Sequence, residues 1–136
     1  MAPAGDTESI NQSIETCLQA LGPVGRIDQF EAARKDPNVP YDETLTAIQS
    51  YVDAGKIGGI SCSELGPETL RKSAEKFKIT ALEIEVSLFR TEPITNGLLA
   101  TCAEFDIPVL AYCKFSSFYD VVCRNIRITK LTGIAH

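Results

Sequence analysis

Apolar residues recur at Ile10, Ile14, Cys17, Leu18 and Leu21, a spacing that lines one face of a helix. Asp6 or Thr7 stands where a cap belongs and Gly22 where the helix must stop. A second stripe, Leu45, Ile48 and Val52, runs through Asp42 to Ala54 and ends at Gly55, where a left-handed residue is wanted. Pro67 suits the first turn of a third helix carrying Leu70, Ala74 and Phe77, and Asn96 to Phe105 forms a fourth with Leu98, Leu99, Cys102 and Phe105 inward. Between these stripes the period changes. Ile27 to Ala33, Ile57 to Cys62, Thr80 to Phe89 and Ile107 to Tyr112 read as strands. Gly58 and Gly59 lower β propensity in the second of them and suit a place where another backbone comes close. Arg34 to Pro40 and Arg90 to Pro93 read as loops.

The strands begin near residues 27, 57, 80 and 107, a period of 23 to 30 residues. Strands alternating with amphipathic helices at this period imply right-handed βαβ units and a parallel sheet, hence an α/β fold. Two architectures share the pattern: an open doubly wound sheet, and a (β/α)8 TIM barrel that needs roughly 250 residues to close. Four strands make half of such a barrel. An open flavodoxin-like sheet expects a glycine-rich phosphate turn after its first strand, whereas Ala33-Arg34-Lys35-Asp36-Pro37-Asn38-Val39-Pro40 stands there.

Composition narrows the classes further. At 136 residues, 44% hydrophobic and 23% charged, the chain has the make-up of a globular domain. Its net charge is −5, and no basic stripe marks a nucleic-acid site. From Cys113 onward the text changes: Lys114, Arg124, Arg127 and Lys130 face Asp120 alone, so that 113–136 carries +3 and the remainder −8. This divides the chain into a barrel-like segment, 1–112, and a divergent tail, 113–136. The first residues lack a signal-peptide pattern and no stretch approaches a membrane span, so a cytoplasmic protein without membrane contact is expected. Five cysteines without CxxC, and one histidine at position 136, suggest reduced packing residues and no metal.

The run GKIGGISCSELGPETLRKSAEKFKITALEIEVSLF, Gly55 to Phe89, resembles the aldo-keto reductases, whose fifth and sixth barrel strands carry similar text. NGLLATCAEFDIPVLAY, Asn96 to Tyr112, extends the likeness into the seventh. Phe30 to Pro40, FEAARKDPNVP, looks most like the yeast and fungal pyridoxal reductases within that family. The resemblance implies a partial (β/α)8 barrel of about four parallel strands, NADPH as cofactor and a small-molecule aldehyde as substrate. Ser63 matches the serine that hydrogen-bonds the nicotinamide carboxamide, with Glu64 in place of the asparagine or glutamate beside it; Glu83 stands where relatives hold that carboxamide with glutamine, and Tyr112 matches the tyrosine that stacks on the nicotinamide. Each has a plainer reading: a turn former for Ser63, an interior carboxylate paired across strands for Glu83, a core residue with its hydroxyl at the rim for Tyr112.

The histidine that helps polarise the carbonyl in relatives aligns with Ala33, which cannot donate a hydrogen bond. Arg34 next to it is the candidate to stabilise a developing alkoxide, against the alternative of a surface arginine paired with Asp36. The resemblance assigns the acid tyrosine, with its aspartate and lysine, to strands before those matched here. The expectation is therefore a partial or mis-spliced product, inactive as it stands, with 113–136 as translated intron or shifted frame. The competing reading is a non-catalytic α/β module that binds a ligand or self-associates through exposed sheet edges. Phe118 to Cys123 and Ile126 to Leu131 are candidates for an edge strand or hairpin in the tail.

Overall fold

Asp6 accepts a hydrogen bond from the Ser9 backbone N–H and so caps the first helix, α1 (Thr7–Leu21), which closes at Gly22 with φ 71°. In this computed structural model, residues 4–23, 25–87 and 90–113 are described, together with the backbone of 126–128. The elements that follow α1 are β1 (Phe30–Ala32), α2 (Tyr41–Asp53), β2 (Ile60–Ser63), α3 (Pro67–Ala74), β3 (Ile79–Glu85), α4 (Glu92–Thr95), α5 (Leu98–Glu104), β4 (Val109–Tyr112) and β5 (Ile126–Ile128). The sheet order is β1-β2-β3-β4-β5. The first four strands pair in parallel, each with its successor, and β5 runs antiparallel to β4. Simple succession of parallel strands is the barrel order expected, not the reversal of a doubly wound sheet.

One face of the sheet builds the core. Ile60, Cys62, Leu82 and Ile84 point toward the helices and meet Leu45 and Ile48 of α2, Leu70 of α3 and Leu98 and Cys102 of α5, all buried. Residues of opposite parity, Glu31, Ser61, Ser63, Glu83, Glu85 and Tyr112, share the other face, which a closed barrel turns toward its axis. Helix α1 lays Ile10 and Ile14 into the same core beside α2. Gly5 ties its start to the loop before α2: its N–H donates to Asp36 (3.1 Å) and its carbonyl accepts from Thr44 (2.6 Å).

Several boundaries move, each for a local reason. The first strand covers only Phe30–Ala32, although Ile27 still bridges Ile57. The glycine pair lets backbones meet as expected: a Cβ on Gly58 would lie 2.6 Å from the Asp28 carbonyl oxygen, and one on Gly59 2.5 Å from Thr80 Cγ2. The second contact sits at a bulge, since Ile60 pairs with Ile79 but Ser61 pairs with Ala81. β3 ends at Glu85, and Ser87 and Arg90 then exchange backbone hydrogen bonds across a tight turn (3.1 Å each); Phe89, expected in the strand, lies outside the described residues. Where a plain loop was expected, Pro93 sits in the first turn of α4, and α5 starts only at Leu98 because Gly97 is left-handed (φ 88°) and Asn96 Oδ1 takes the Leu98 N–H. In the tail, Ile126–Ile128 forms an edge strand within the expected Ile126–Leu131, while Phe118–Cys123 lies outside the described residues.

Candidate functional site

Ser63 and Tyr112 are the last residues of β2 and β4, and Glu83 lies on β3 between them, opposite Ser63 in register. The three residues matched to cofactor contacts thus occupy neighbouring strands on one face, near the carboxyl ends where ligands of such barrels bind. Ser63 is buried, and its hydroxyl makes no hydrogen bond among the described residues. Tyr112 is half-buried.

Tyr112 is not free at the rim. Its hydroxyl donates to Glu64 Oε1 at 2.6 Å, and the Glu85 backbone N–H donates to the same oxygen at 2.7 Å. The other carboxylate oxygen faces Arg90 Nη2 at 3.4 Å, while Arg90 Nη1 reaches Glu85 Oε2, also at 3.4 Å. Glu64 itself has φ 51°, a left-handed conformation costing about 1–2 kcal/mol for a residue with a Cβ, and its N–H donates to the Glu83 carbonyl at 2.9 Å. With a side chain only 12% exposed, Glu64 would be raised by burial. The hydrogen bonds from Tyr112 and Glu85, with the Arg90 and Arg34 charges, outweigh that and hold it below the ordinary carboxylate value. Burial first, and then Glu64, push the Tyr112 phenol up to about 12.

Arg34 is exposed and donates to the Ala33 carbonyl at 2.7 Å. Its guanidinium lies close enough to Glu31, Glu64 and Tyr112 to act on all three. The pairing with Asp36 is not formed, because that carboxylate is taken by the backbone N–H groups of Asn38 (2.8 Å) and Gly5 (3.1 Å). An Asx turn, legible in Asp36-Pro37-Asn38, competes successfully with the ion pair.

Glu83 meets a second carboxyl group, that of Glu31 on β1, with Ser61 of the intervening strand donating to Glu31 Oε2 at 2.9 Å. Burial raises the Glu31 pKa, the Ser61 hydrogen bond and Arg34 oppose this, and the neighbouring Glu83 carboxyl reinforces it. Sequence reading missed Glu31, Glu85 and Arg90, and gave Glu64 only its place beside Ser63. Strand parity could have found Glu31 and Glu85, since each carboxylate shares the face of a matched residue. The contact of Glu64 with Tyr112 depends on a backbone turn that no local pattern announces.

Elsewhere, a cleft of about 530 Å³ opens at the opposite, amino-terminal end of β3 and β4, lined by Phe77, Lys78, Ile79, Phe105 and Ile107. It holds none of the matched residues. Among the described residues no cluster of three or more His, Cys, Asp or Glu is placed to hold a metal, and no helix is long and apolar enough to cross a membrane. Cys62 and Cys102 are buried and Cys17 is exposed, all as free thiols; Cys123 lies outside the described residues.

Comparison with known proteins bears on the fold and on the kinship of the chain. Residues 1–117 match the sequence profile of the Aldo/keto reductase family. The chain is 36% identical over 115 residues to a Schizosaccharomyces pombe protein named "Probable pyridoxal reductase 2", covering 85% of this chain and 34% of that one. It is 38% identical over 105 residues to an aldo-keto reductase of Gibberella moniliformis, covering 77% of this chain and 32% of the relative. The structure of a glycerol dehydrogenase from Gluconobacter oxydans superposes with a TM-score of 0.72 at 25% identity, over 81% of this chain and 33% of that one. The chain thus spans about a third of the length of the relatives it matches.

Proposed function

The chain belongs to the aldo/keto reductase family, and from that membership we propose that it carries the nicotinamide-holding strands of an NADPH-dependent reductase of pyridoxal-like aldehydes. The observation that supports this most directly is the convergence of Ser63, Glu83 and Tyr112 on one face of three consecutive strands. The set fits a nicotinamide ring. A carboxamide offers two N–H donors and a carbonyl acceptor; the unengaged Ser63 hydroxyl can serve either, and Glu83 accepts from the amide. A carboxylate cannot donate to the amide oxygen as glutamine does.

When bound, NADPH supplies a hydride to the aldehyde carbon, and the carbonyl π pair passes to oxygen as an alkoxide that takes one proton to become the alcohol. The Tyr112 ring sets the face presented to substrate, and Ser63 with Glu83 fixes the rotation of the carboxamide. Arg34, at the same mouth, supplies positive potential where the alkoxide charge develops, in place of the absent histidine at Ala33. The family resemblance puts the proton donor on strands preceding those matched. On this reading the strands described hold the cofactor and orient its nicotinamide.

Fluorescence titration of NADPH with the chain tests the proposal. Saturable micromolar binding is expected, weakened roughly three- to tenfold by Ser63→Ala through loss of one hydrogen bond. Binding unaffected by Ser63→Ala and Tyr112→Ala together would remove the site from these strands. A second reading, assembly with another copy, is favoured by one observation: β1 has no strand partner on its outer side among the described residues.

A further inference from the structure

We propose that Glu64 is a positioning residue for Tyr112: by accepting its hydroxyl proton at 2.6 Å it fixes the ring and enriches it in electrons, biasing the site toward the oxidised, cationic nicotinamide over the reduced, neutral one. The inference rests on the cofactor reading above, and goes beyond it in stating which redox form the strands favour.

Three features make Glu64 more than a passing contact. Its left-handed backbone, φ 51°, turns the side chain off the end of β2 and across β3 to β4, 48 residues away in sequence. The carboxylate is anchored independently of Tyr112, by the Glu85 N–H at 2.7 Å and by Arg90 at 3.4 Å. Arg90 is in turn held by Glu85, so the carboxylate is locked on both oxygens before the tyrosine engages it. A strained residue kept in place by several partners is the pattern of pre-organisation.

The direction of the bias follows from elementary electrostatics. A phenol that donates to an anion shifts electron density into its ring, and an aromatic face attracts cations through its negative quadrupole. Only the oxidised nicotinamide carries a positive charge. Without the Glu64 charge, Arg34 beside Tyr112 and Arg90 beside Glu64 would be less well compensated, which also disfavours the oxidised form.

The test compares dissociation constants for NADP+ and NADPH in the wild-type chain, Glu64→Gln and Tyr112→Phe, with spectrophotometric titration of the phenol as a readout independent of cofactor. Glu64→Gln should shift the ratio of the two constants against NADP+ by roughly three- to tenfold. It should also lower the Tyr112 ionisation from about 12 toward that of a free phenol. Tyr112→Phe keeps the ring, removes the hydroxyl and should shift the ratio in the same direction, so the inference stays testable if Glu64→Gln misfolds. An unchanged ratio in both variants, or an unchanged phenol titration in Glu64→Gln, overturns it while leaving the cofactor reading intact. A ratio shifted by Glu64→Gln but not by Tyr112→Phe shows the carboxylate acting by charge alone, and overturns it too. If neither form binds the wild-type chain, the cofactor reading falls, and this inference with it.

Discussion

The Tyr41 hydroxyl is buried, with no hydrogen-bond partner among the described residues. The Cys62 thiol lies beside it, itself pushed up to about 11 by burial, and is too weak an acceptor to satisfy the hydroxyl. An unsatisfied buried hydroxyl is a standing cost, so Tyr41→Phe should stabilise the fold by about 1 kcal/mol, read as a higher urea midpoint. A second prediction concerns acid and base. The Glu31 carboxyl is raised by burial, against the Ser61 hydrogen bond and with the Glu83 carboxyl assisting, so folding favours its protonated form. Its contribution is complete below the ordinary value of 4.5 and is lost as pH rises through the raised one. Asp36 has the opposite sign: backbone hydrogen bonds from Asn38 and Gly5 lower it, so its contribution is present above 3.8 and lost as pH falls through the depressed value. Urea midpoints should therefore decline from mildly acid pH toward neutrality, and Glu31→Gln should flatten that limb while leaving the acid limb unchanged.

At the scale of elements, the close passage of β2 against β3 decides the register. A methyl on Gly59 would meet Thr80 Cγ2 at 2.5 Å and Oγ1 at 2.8 Å, whereas one on Gly58 would meet the Asp28 backbone oxygen at 2.6 Å. Gly59→Ala should cost about 1–3 kcal/mol by overpacking. Adding Thr80→Ala, which removes both clashing atoms, should restore part of it; no side-chain change can rescue Gly58→Ala. Denaturation midpoints of Gly58→Ala and Gly59→Ala, each with and without Thr80→Ala, check the contrast, and equal rescue of both glycines would refute it. The glycine pair was legible in the sequence because a double interruption of a β-branched run has few explanations. The bulge it accommodates was not, since register depends on both strands at once. The same division runs through the site. Ser63, Glu83 and Tyr112 came to light through strand ends and family likeness. Family likeness gave Glu64 its place beside Ser63, but not its contact with Tyr112, which needs a left-handed backbone and a partner 48 residues away. The alternative for Arg34, an ion pair with Asp36, is not formed, because the Asx turn satisfies that carboxylate first. The helix α4 escaped because Pro93 signals a loop and a first helical turn equally well.

For the whole molecule, the consequence of this topology is an edge. β4 is flanked by β5, but β1 presents its outer side with no strand partner among the described residues. The Phe30 N–H donates to the Gly59 carbonyl, so in a parallel ladder the Glu31 backbone groups point the other way, toward that open edge. A short strand with one free edge and a polar face is a template for pairing with a second copy, and the net charge of −5 opposes this only weakly at physiological salt. Sedimentation equilibrium should show concentration-dependent self-association. Glu31→Pro removes the outward N–H at a position where an edge strand tolerates proline, and should shift the equilibrium toward monomer. Glu31→Gln loses the same charge but keeps the N–H, and should leave association in place. If both variants dissociate alike, the carboxyl rather than the edge mediates assembly; if neither does, the contact lies elsewhere on the molecule.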